Sequence, residues 1–449
     1  KKIVGQMQHD LYHAYTVDEH TLKLLRNARR FFVAKHDHEF PLASSIAKNL
    51  SKPELLFIAC IYHDIGKGRG GKHEEYGAIE VEAFCQLHDI SPKDTRLVIW
   101  LVKNHLIMSM TAQRKDIGDP SVINEFASLV KSREYLDYLY LLTVADIRAT
   151  SPKVWNNWKG SLLIELFNHT KHALKQGLGN PLLKDEKIQV CKARALDRLI
   201  SEQFRQNDIE QLWNSLPDRY FLKFQVDEII WQTQAVIQHK QLQLEQNKPL
   251  VLINEHRQSG STEIFIYVAM QDYVFAIVTS VLAKMMLNIT EAKTITSSEG
   301  FAYHVYFVLE ENGEGVIDPQ RLEEIRHSLE QHLSQGNPQL PEHSDRISRS
   351  MKQFSLQTQV HFDEDLENNR TIMSITASNR PALLFHIGQA LLQCNVHILN
   401  AKISTFGEKA EDVFEIVDGN YQIITDIKQQ ERIRQTIIRL IDETSKKHS

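Results

Sequence analysis

From residue 17 to about residue 215, apolar positions recur at helical spacing with few interruptions, so this stretch reads as almost continuous helix broken by short turns. Thr16-Val17-Asp18-Glu19 has the pattern of a capping box, in which Thr16 offers its hydroxyl and Glu19 reaches back. Leu22, Leu25, Ala28 and Phe32 then share one face of the first helix. Ser51-Lys52-Pro53-Glu54 starts a second helix over residues 55–65, apolar nearly all round and therefore central, which Gly66 stops. Ser91-Pro92 starts a third, through His105. A fourth runs roughly from Arg133 to Arg148 and ends before Ser151-Pro152.

Residues 218–247 form a Gln-rich stretch, most simply a helix and connector. Beyond it the pattern changes. Residues 263–268 are strand-like, 273–286 helical, 289–297 and 302–309 strand-like, and 319–334 helical. The order recurs as strand 370–377, helix 382–394, strands 397–406 and 409–418, and helix 426–442. Two β-α-β-β-α units roughly 105 residues apart constitute an internal repeat of ferredoxin-like type. A fourth strand for the first unit is expected at residues 358–362, whereas none follows the last helix of the second. The orphan strand 250–254 would fill that gap from upstream. The expected fold class is therefore α+β multidomain: an all-α domain followed by two ferredoxin-like βαββαβ domains. The expected boundaries are 1–215 for the helical domain, 216–258 for the connector, and 259–365 and 366–449 for the repeats.

With 42% apolar and 24% charged residues, the composition is that of a soluble globular protein. No apolar run approaches the roughly 18 residues that a membrane span needs, and the polar N-terminus does not resemble a secretory signal. Cys60, Cys85, Cys191 and Cys394 are isolated in sequence, which argues against a disulfide framework or cysteine-ligated zinc and for a reducing cytoplasm. A net charge of −5 offers no electrostatic footprint for nucleic acid or an anionic membrane. The chain opens at Lys1 without an initiator methionine, as expected for a piece of something longer.

The compositional oddity is 21 histidines. A His-Asp dipeptide occurs at His9-Asp10, His36-Asp37, His63-Asp64 and His88-Asp89, so the dipeptide alone says little; context separates them. His63 shares a helical face with Leu56, Ala59 and Cys60, where a charged aspartate has no apolar partner and a cation is the simplest one. The turn Ile65-Gly66-Lys67-Gly68-Arg69 that follows can bring Lys67 and Arg69 to a phosphate. A hydrolytic metal needs further ligands with positions left for water and substrate. His20, in the first turn of its helix, and Asp146, on the apolar helix Leu142-Thr143-Val144-Ala145-Asp146, complete a set with His63 and Asp64. His73 and His105 fit a second metal, with Asp64 between the ions. A lone histidine on an apolar face is usually a hydrogen-bonded core residue; what changes the reading is the spaced set in one helical domain. Imidazole and carboxylate donors together suit manganese, iron or zinc. No zincin motif, nucleophile elbow, Walker loop or dinucleotide fingerprint is present.

Four stretches, MQHDLYHAYTVDEHTLKLLRN, HDIGKGRGGKHEEYGA, WLVKNHLIMSMTAQRKDIGDP and LLTVADIRATSPKVWNNWKGSLL, resemble the bacterial uridylyltransferase/uridylyl-removing enzymes that control the PII nitrogen-signalling protein. The resemblance implies an HD domain that removes UMP from a tyrosine of PII, with a divalent cation, manganese first and magnesium, iron or zinc as alternatives. It implies two C-terminal ACT domains sensing glutamine as effector. It carries ligand roles onto His20, His63, Asp64 and Asp146, and onto His73 and His105 for a second ion. His63, Asp64, Lys67 and Arg69 are the expected catalytic group. Lys72 departs from the aspartate usual before His73. The family's nucleotidyltransferase domain is nowhere in these residues, so a form without uridylyl-adding activity is expected.

The second repeat has Ser378-Asn379-Arg380-Pro381-Ala382-Leu383-Leu384 where ACT domains carry D-R-P-G-L-L. Backbone amides at that helix start can hold an amino-acid carboxylate, which makes Asn379, Arg380, Pro381 and Ala382 the candidate ligand turn. The first repeat has Ala269-Met270-Gln271-Asp272-Tyr273 there, further from the pattern, and is expected to serve more as packing partner than as binding site. Two other functions fit part of the pattern. A hydrolase of guanosine tetraphosphate alarmones also joins HD to ACT but normally carries a synthetase domain between them. A catalytically silent amino-acid sensor would not need an intact ligand set.

Overall fold

The computed structural model describes residues 3–6, 15–69, 72–151, 154–177, 184–242, 248–254, 260–335, 356–380, 382–406 and 409–446. The chain divides into two compact units, residues 1–182 and 183–449.

The first unit is helical: α1 (Val17–Arg30), α2 (Pro41–Lys48), α3 (Pro53–Tyr62), α4 (His73–Leu87), α5 (Pro92–Asn104), α6 (Ile107–Arg114), α7 (Pro120–Val130), α8 (Arg133–Thr150) and α9 (Asn157–Gln176). Local chemistry sets the starts. Proline opens α2, α3, α5 and α7, where its fixed φ suits the first turn and its missing N–H costs nothing. Ser91, Asp119, Ser132 and Asn156 cap their helices by accepting from Asp94, Ser121, Tyr135 and Lys159 amides. The expected capping box at α1 does not form. Thr16 makes no side-chain cap, and its hydroxyl is engaged by the Asp18 carboxylate. The inward stripe of α1 also differs from the expected one. Val17, His20, Thr21, Leu24 and Ala28 are buried, while Leu22 is 66% exposed. The face is set by His20, which must point at α3 and α8, the helices against which α1 packs.

Two glycines permit the close approach that this cluster needs. A Cβ on Gly77 of α4 would lie 2.9 Å from Val102 Cγ1 and 3.0 Å from the Tyr62 carbonyl oxygen. One on Gly66 would lie 2.2 Å from the His73 carbonyl oxygen. Helices α3, α4 and α5 can therefore converge only because these positions lack side chains.

The second unit begins with α10 (Lys184–Ser201), α11 (Gln206–Asn214), α12 (Asp218–Lys223) and α13 (Val226–Gln241). Two repeats follow. The first comprises β1 (Leu250–Asn254), β2 (Thr262–Ala269), α14 (Val274–Lys284), β3 (Asn288–Thr296), β4 (Phe301–Leu309) and α15 (Pro319–Gln335). The second comprises β5 (Gln359–Asp365), β6 (Arg370–Ser378), α16 (Leu383–Gln393), β7 (Val396–Lys402), β8 (Thr405–Phe406), β9 (Lys409–Asp418) and α17 (Ile427–Lys446). The strands form one sheet in the order β1-β2-β4-β3-β7-β9-β6-β5, with β8 on β9.

This topology corrects the assignment of edge strands. β1 pairs antiparallel with β2 and completes the first repeat; β5 pairs with β6 and belongs to the second. Each repeat thus takes its edge strand from upstream rather than from after its last helix. The alternation in either strand identifies a half-buried strand without identifying its neighbour.

Helices α14–α17 cover one face of the sheet around a continuous apolar core. Residues 184–241, expected to divide between the helical domain and a connector, fall with the sheet in the second unit. Tyr220 stands edge-on to Tyr303 with centroids 5.8 Å apart, and Trp231 lies 5.8 Å from Phe265. The reason is visible in β2 and β4, which are apolar on both faces and so need a second helical layer.

Candidate metal centre

Five helices deliver the polar cluster of the first unit. His20 projects from α1, His63 caps the end of α3 with Asp64 next in the chain, His73 opens α4, His105 caps α5, and Asp146 projects from α8. All six side chains that the sequence nominated as ligands converge. His20 Nε2 lies 3.1 Å from Asp146 Oδ1, 3.2 Å from His63 Nε2 and 3.6 Å from Asp64 Oδ2. His63 Nε2 lies 3.2 Å from Asp64 Oδ2 and 3.8 Å from Asp146 Oδ1. The other carboxylate oxygen, Asp64 Oδ1, faces His73 Nε2 at 3.4 Å and His105 Nε2 at 3.9 Å. His20, His63 and Asp146 therefore form one group of converging donors and Asp64, His73 and His105 a second.

Backbone contacts fix the imidazoles. His63 Nδ1 donates to the Cys60 carbonyl at 2.9 Å, and His105 Nδ1 to the Val102 carbonyl at 2.8 Å. A carbonyl only accepts, so each Nδ1 carries the hydrogen and each Nε2 presents its lone pair inward. This i−3 contact comes from a histidine placed at the last turn of a helix, a position that the sequence itself records.

His20, His63, Asp64 and His105 are buried almost completely. Burial pushes the Asp64 carboxyl up, but the charges of His63 and Lys67 outweigh it and hold the group well below the ordinary carboxylate range. Asp146 is likewise held low against burial, through His20 and His63. Burial lowers His105 to about 4, with His63 acting in the same direction, so it is a neutral donor at physiological pH. Burial also lowers His73. On His63 burial acts downward too, but the Asp64 and Asp146 charges act the other way and hold its imidazole above the ordinary range. Two low carboxylates together with imidazoles are a donor set that suits a divalent cation, whose binding displaces any imidazole proton. Asp64 Oδ1 and His73 Nε2 are buried and have no hydrogen-bond partner among the described residues, which fits a site shaped for a cation.

The two cationic candidates separate. Lys67 Nζ sits 2.7 Å from Asp64 Oδ2, at the edge of the cluster. Arg69 Nη1 instead donates to Glu80 Oε1 at 2.5 Å and is not brought to the carboxylates. Gly68, with φ of +77°, turns the chain between them.

In the second unit the nominated turn is only partly open to a ligand. Arg380 Nη1 donates to the Ile441 carbonyl at 2.6 Å, fastening α17. Ala382 adopts the left-handed conformation, φ +58°, where the ACT pattern has glycine. Pro381 lies outside the described residues, and Asn379 has interactions of its own. The turn of the first repeat, expected to serve more for packing than for binding, lines a cleft between the repeats: Met270, Gln271 and Asp272 meet His304, His397 and Tyr421 there. The Tyr421 ring stacks on His397 at 4.6 Å, and its hydroxyl lies 3.3 Å from Thr296 Oγ1. Nothing in the sequence placed Tyr421 beside that turn.

Comparison with known proteins supports both units. Residues 17–150 match the HD domain and residues 183–235 match the fifth domain of uridylyltransferase GlnD. The first unit is therefore an HD domain, followed by an antiparallel sheet region of ACT type. Curated relatives are bifunctional uridylyltransferase/uridylyl-removing enzymes. That of Ectopseudomonas mendocina (strain ymp) is 44% identical over 447 residues, 99% of this chain and 49% of the relative. Those of Stutzerimonas stutzeri (strain A1501) and Pseudomonas aeruginosa (strain UCBPP-PA14) are 45% and 44% identical, each over 441 residues, covering 97% of this chain and 49% and 48% of the relatives. The chain spans about half the length of the curated relatives it matches. No solved structure matches it.

Proposed function

We propose that this HD-domain chain hydrolyses the phosphodiester joining UMP to a tyrosine of the PII signalling protein, in the cytoplasm, with glutamine acting through the two C-terminal repeats. The observation that carries the reading is Asp64, whose Oδ2 faces His20 and His63 while its Oδ1 faces His73 and His105. His20, His63 and Asp146 would hold one divalent cation, His73 and His105 a second, with Asp64 shared; manganese suits this mixture of imidazole and carboxylate. When bound, such ions lower the pKa of a water toward ~7 and offset charge on phosphoryl oxygens. The chain's own residues supply the rest. The Cys60 and Val102 carbonyls orient the imidazoles, and Lys67 adds a positive charge at the cluster edge where a phosphoryl oxygen would approach. A tyrosine leaving group, with a phenol pKa of ~10, demands little acid assistance.

Glutamine is the effector named by the resemblance, and the cleft between the repeats offers it polar partners. His304 Nε2 is buried there without a hydrogen-bond partner among the described residues, and Asp272 and Tyr421 line the same cleft. The test is release of UMP from uridylylated PII by this chain, with manganese, with and without glutamine, beside His63→Ala. Manganese-dependent release that His63→Ala abolishes supports the reading. No release with any divalent metal contradicts it.

A further inference from the structure

The two repeats join through a short ladder in which Glu291 pairs with Lys402, Ala292 with Ala401 and Lys293 with Asn400. Around Ala292 and Ala401 the arrangement is close to two-fold. β3 carries a bulge at Thr290, between Ile289 and Glu291, and β7 carries one at Leu399, between Ile398 and Asn400. A bulge frees a carbonyl from the ladder. The two carbonyls are used differently. That of Thr290 accepts the Ile403 amide at 2.9 Å, backbone to backbone across the seam. That of Leu399 accepts Lys223 Nζ at 3.0 Å, from a side chain on α12.

Lys223 is buried at 9% exposure, and its ammonium also lies 3.5 Å from Glu415. Glu415 has further partners in Arg370 Nη1 at 2.9 Å and Asn400 Nδ2 at 3.3 Å. An ammonium at this depth is costly unless its geometry is specific, and an apolar side chain would pack more cheaply. Leu399, with Val396, His397 and Ile398, also forms one wall of the cleft between the repeats. The side chain that breaks the two-fold therefore sits directly behind the wall of the cleft.

We infer that Lys223 is a positioning residue: it holds the Leu399 bulge, fixes β7 as the wall of the cleft, and ties the seating of α12 to what occupies that cleft. The position of the wall is independent of the function proposed above; only the identity of the occupant as glutamine rests on it. Lys223→Met keeps the length of the side chain and removes the donor, and Glu415 keeps Arg370 and Asn400, so the fold is retained. Lys223→Arg keeps a donor. Lys240→Met, at a half-exposed surface pair with Glu299, is the control.

The experiment is hydrogen exchange on the full chain, alone and with glutamine. Lys223→Met is expected to speed exchange over residues 396–402 by about 10-fold without ligand, Lys223→Arg to restore most of the protection, and Lys240→Met to change nothing. In the unaltered chain, glutamine is expected to slow exchange over residues 218–223, and Lys223→Met to remove that effect and weaken glutamine binding by about 10-fold, since linkage is reciprocal. Unchanged exchange over residues 396–402 in Lys223→Met overturns the inference, as does glutamine that binds normally in Lys223→Met. If glutamine does not bind the unaltered chain, the regulatory clause of the proposed function fails, and the ligand-free exchange alone decides the role of Lys223.

Discussion

Asp64 Oδ1 and His73 Nε2 stand 3.4 Å apart in the interior of the helical unit, and neither has a hydrogen-bond partner among the described residues. Two buried polar atoms left facing each other cost free energy in the protein alone and become an asset when a cation lies between them. Asp64→Asn is therefore expected to lower manganese stoichiometry and to reduce phosphodiester hydrolysis by about 10³-fold or more. His73→Ala is expected to remove one ion only and to leave the His20, His63 and Asp146 group loaded. Metal analysis of the purified variants checks both.

Gly66 is the backbone counterpart of that pair. Any side chain there meets the His73 carbonyl, with a Cβ at 2.2 Å, so Gly66→Ala must push the start of α4 outward. The expected result is manganese affinity weakened about 10- to 100-fold at the His73 site with little change in helical content, measured by titration and circular dichroism.

Lys67 and Arg69 are separable by mutation. Lys67 touches the Asp64 carboxylate, whereas Arg69 is bound to Glu80. Lys67→Met is expected to reduce kcat/KM for uridylylated PII about 100-fold, the size of a lost electrostatic contact to the transition state. Arg69→Met is expected to cost less than about 10-fold. Equal losses would show that the Arg69–Glu80 pair opens when substrate binds.

The metal centre was legible from residues alone because its ligands sit where helical pattern is least ambiguous. His63 and Asp64 end a helix apolar on every side, and Asp146 interrupts an apolar run, so each stands out against a bland background. The second unit was less legible. Strand 250–254 and strand 359–365 carry no mark of the partner they pair with, and the fate of Arg380 depends on Ile441, a residue sixty-one positions away. The cleft was missed for the same reason. Tyr421 and Met270 meet only because the two repeats are joined edge to edge, and no local pattern records that junction. The failed capping box at Thr16 is a different case, since a nearby carboxylate competed for the hydroxyl.

Asp412 gives the second unit a pH dependence of predictable sign. Burial raises its carboxyl from 3.8 to about 7, although the Ser404 amide donates to Oδ1 at 3.2 Å. Between these values the folded chain keeps a proton that the unfolded chain releases, so stability falls as pH rises from about 4 to 7. Asp412→Asn preserves the acceptor and removes the titration. It is expected to raise the stability at pH 8 by on the order of 4 kcal/mol at most, seen as a higher Tm, and to leave the Tm nearly unchanged at pH 4. Thermal melts at the two pH values check this; an equal effect at both would assign the gain to packing.

The most direct measurement is anomalous scattering from manganese in crystals of this chain. Two peaks are expected, one among His20, His63 and Asp146 and one beside His73 and His105, with Asp64 between them. Manganese bound elsewhere, or absent from both positions at saturating concentration, would contradict the account.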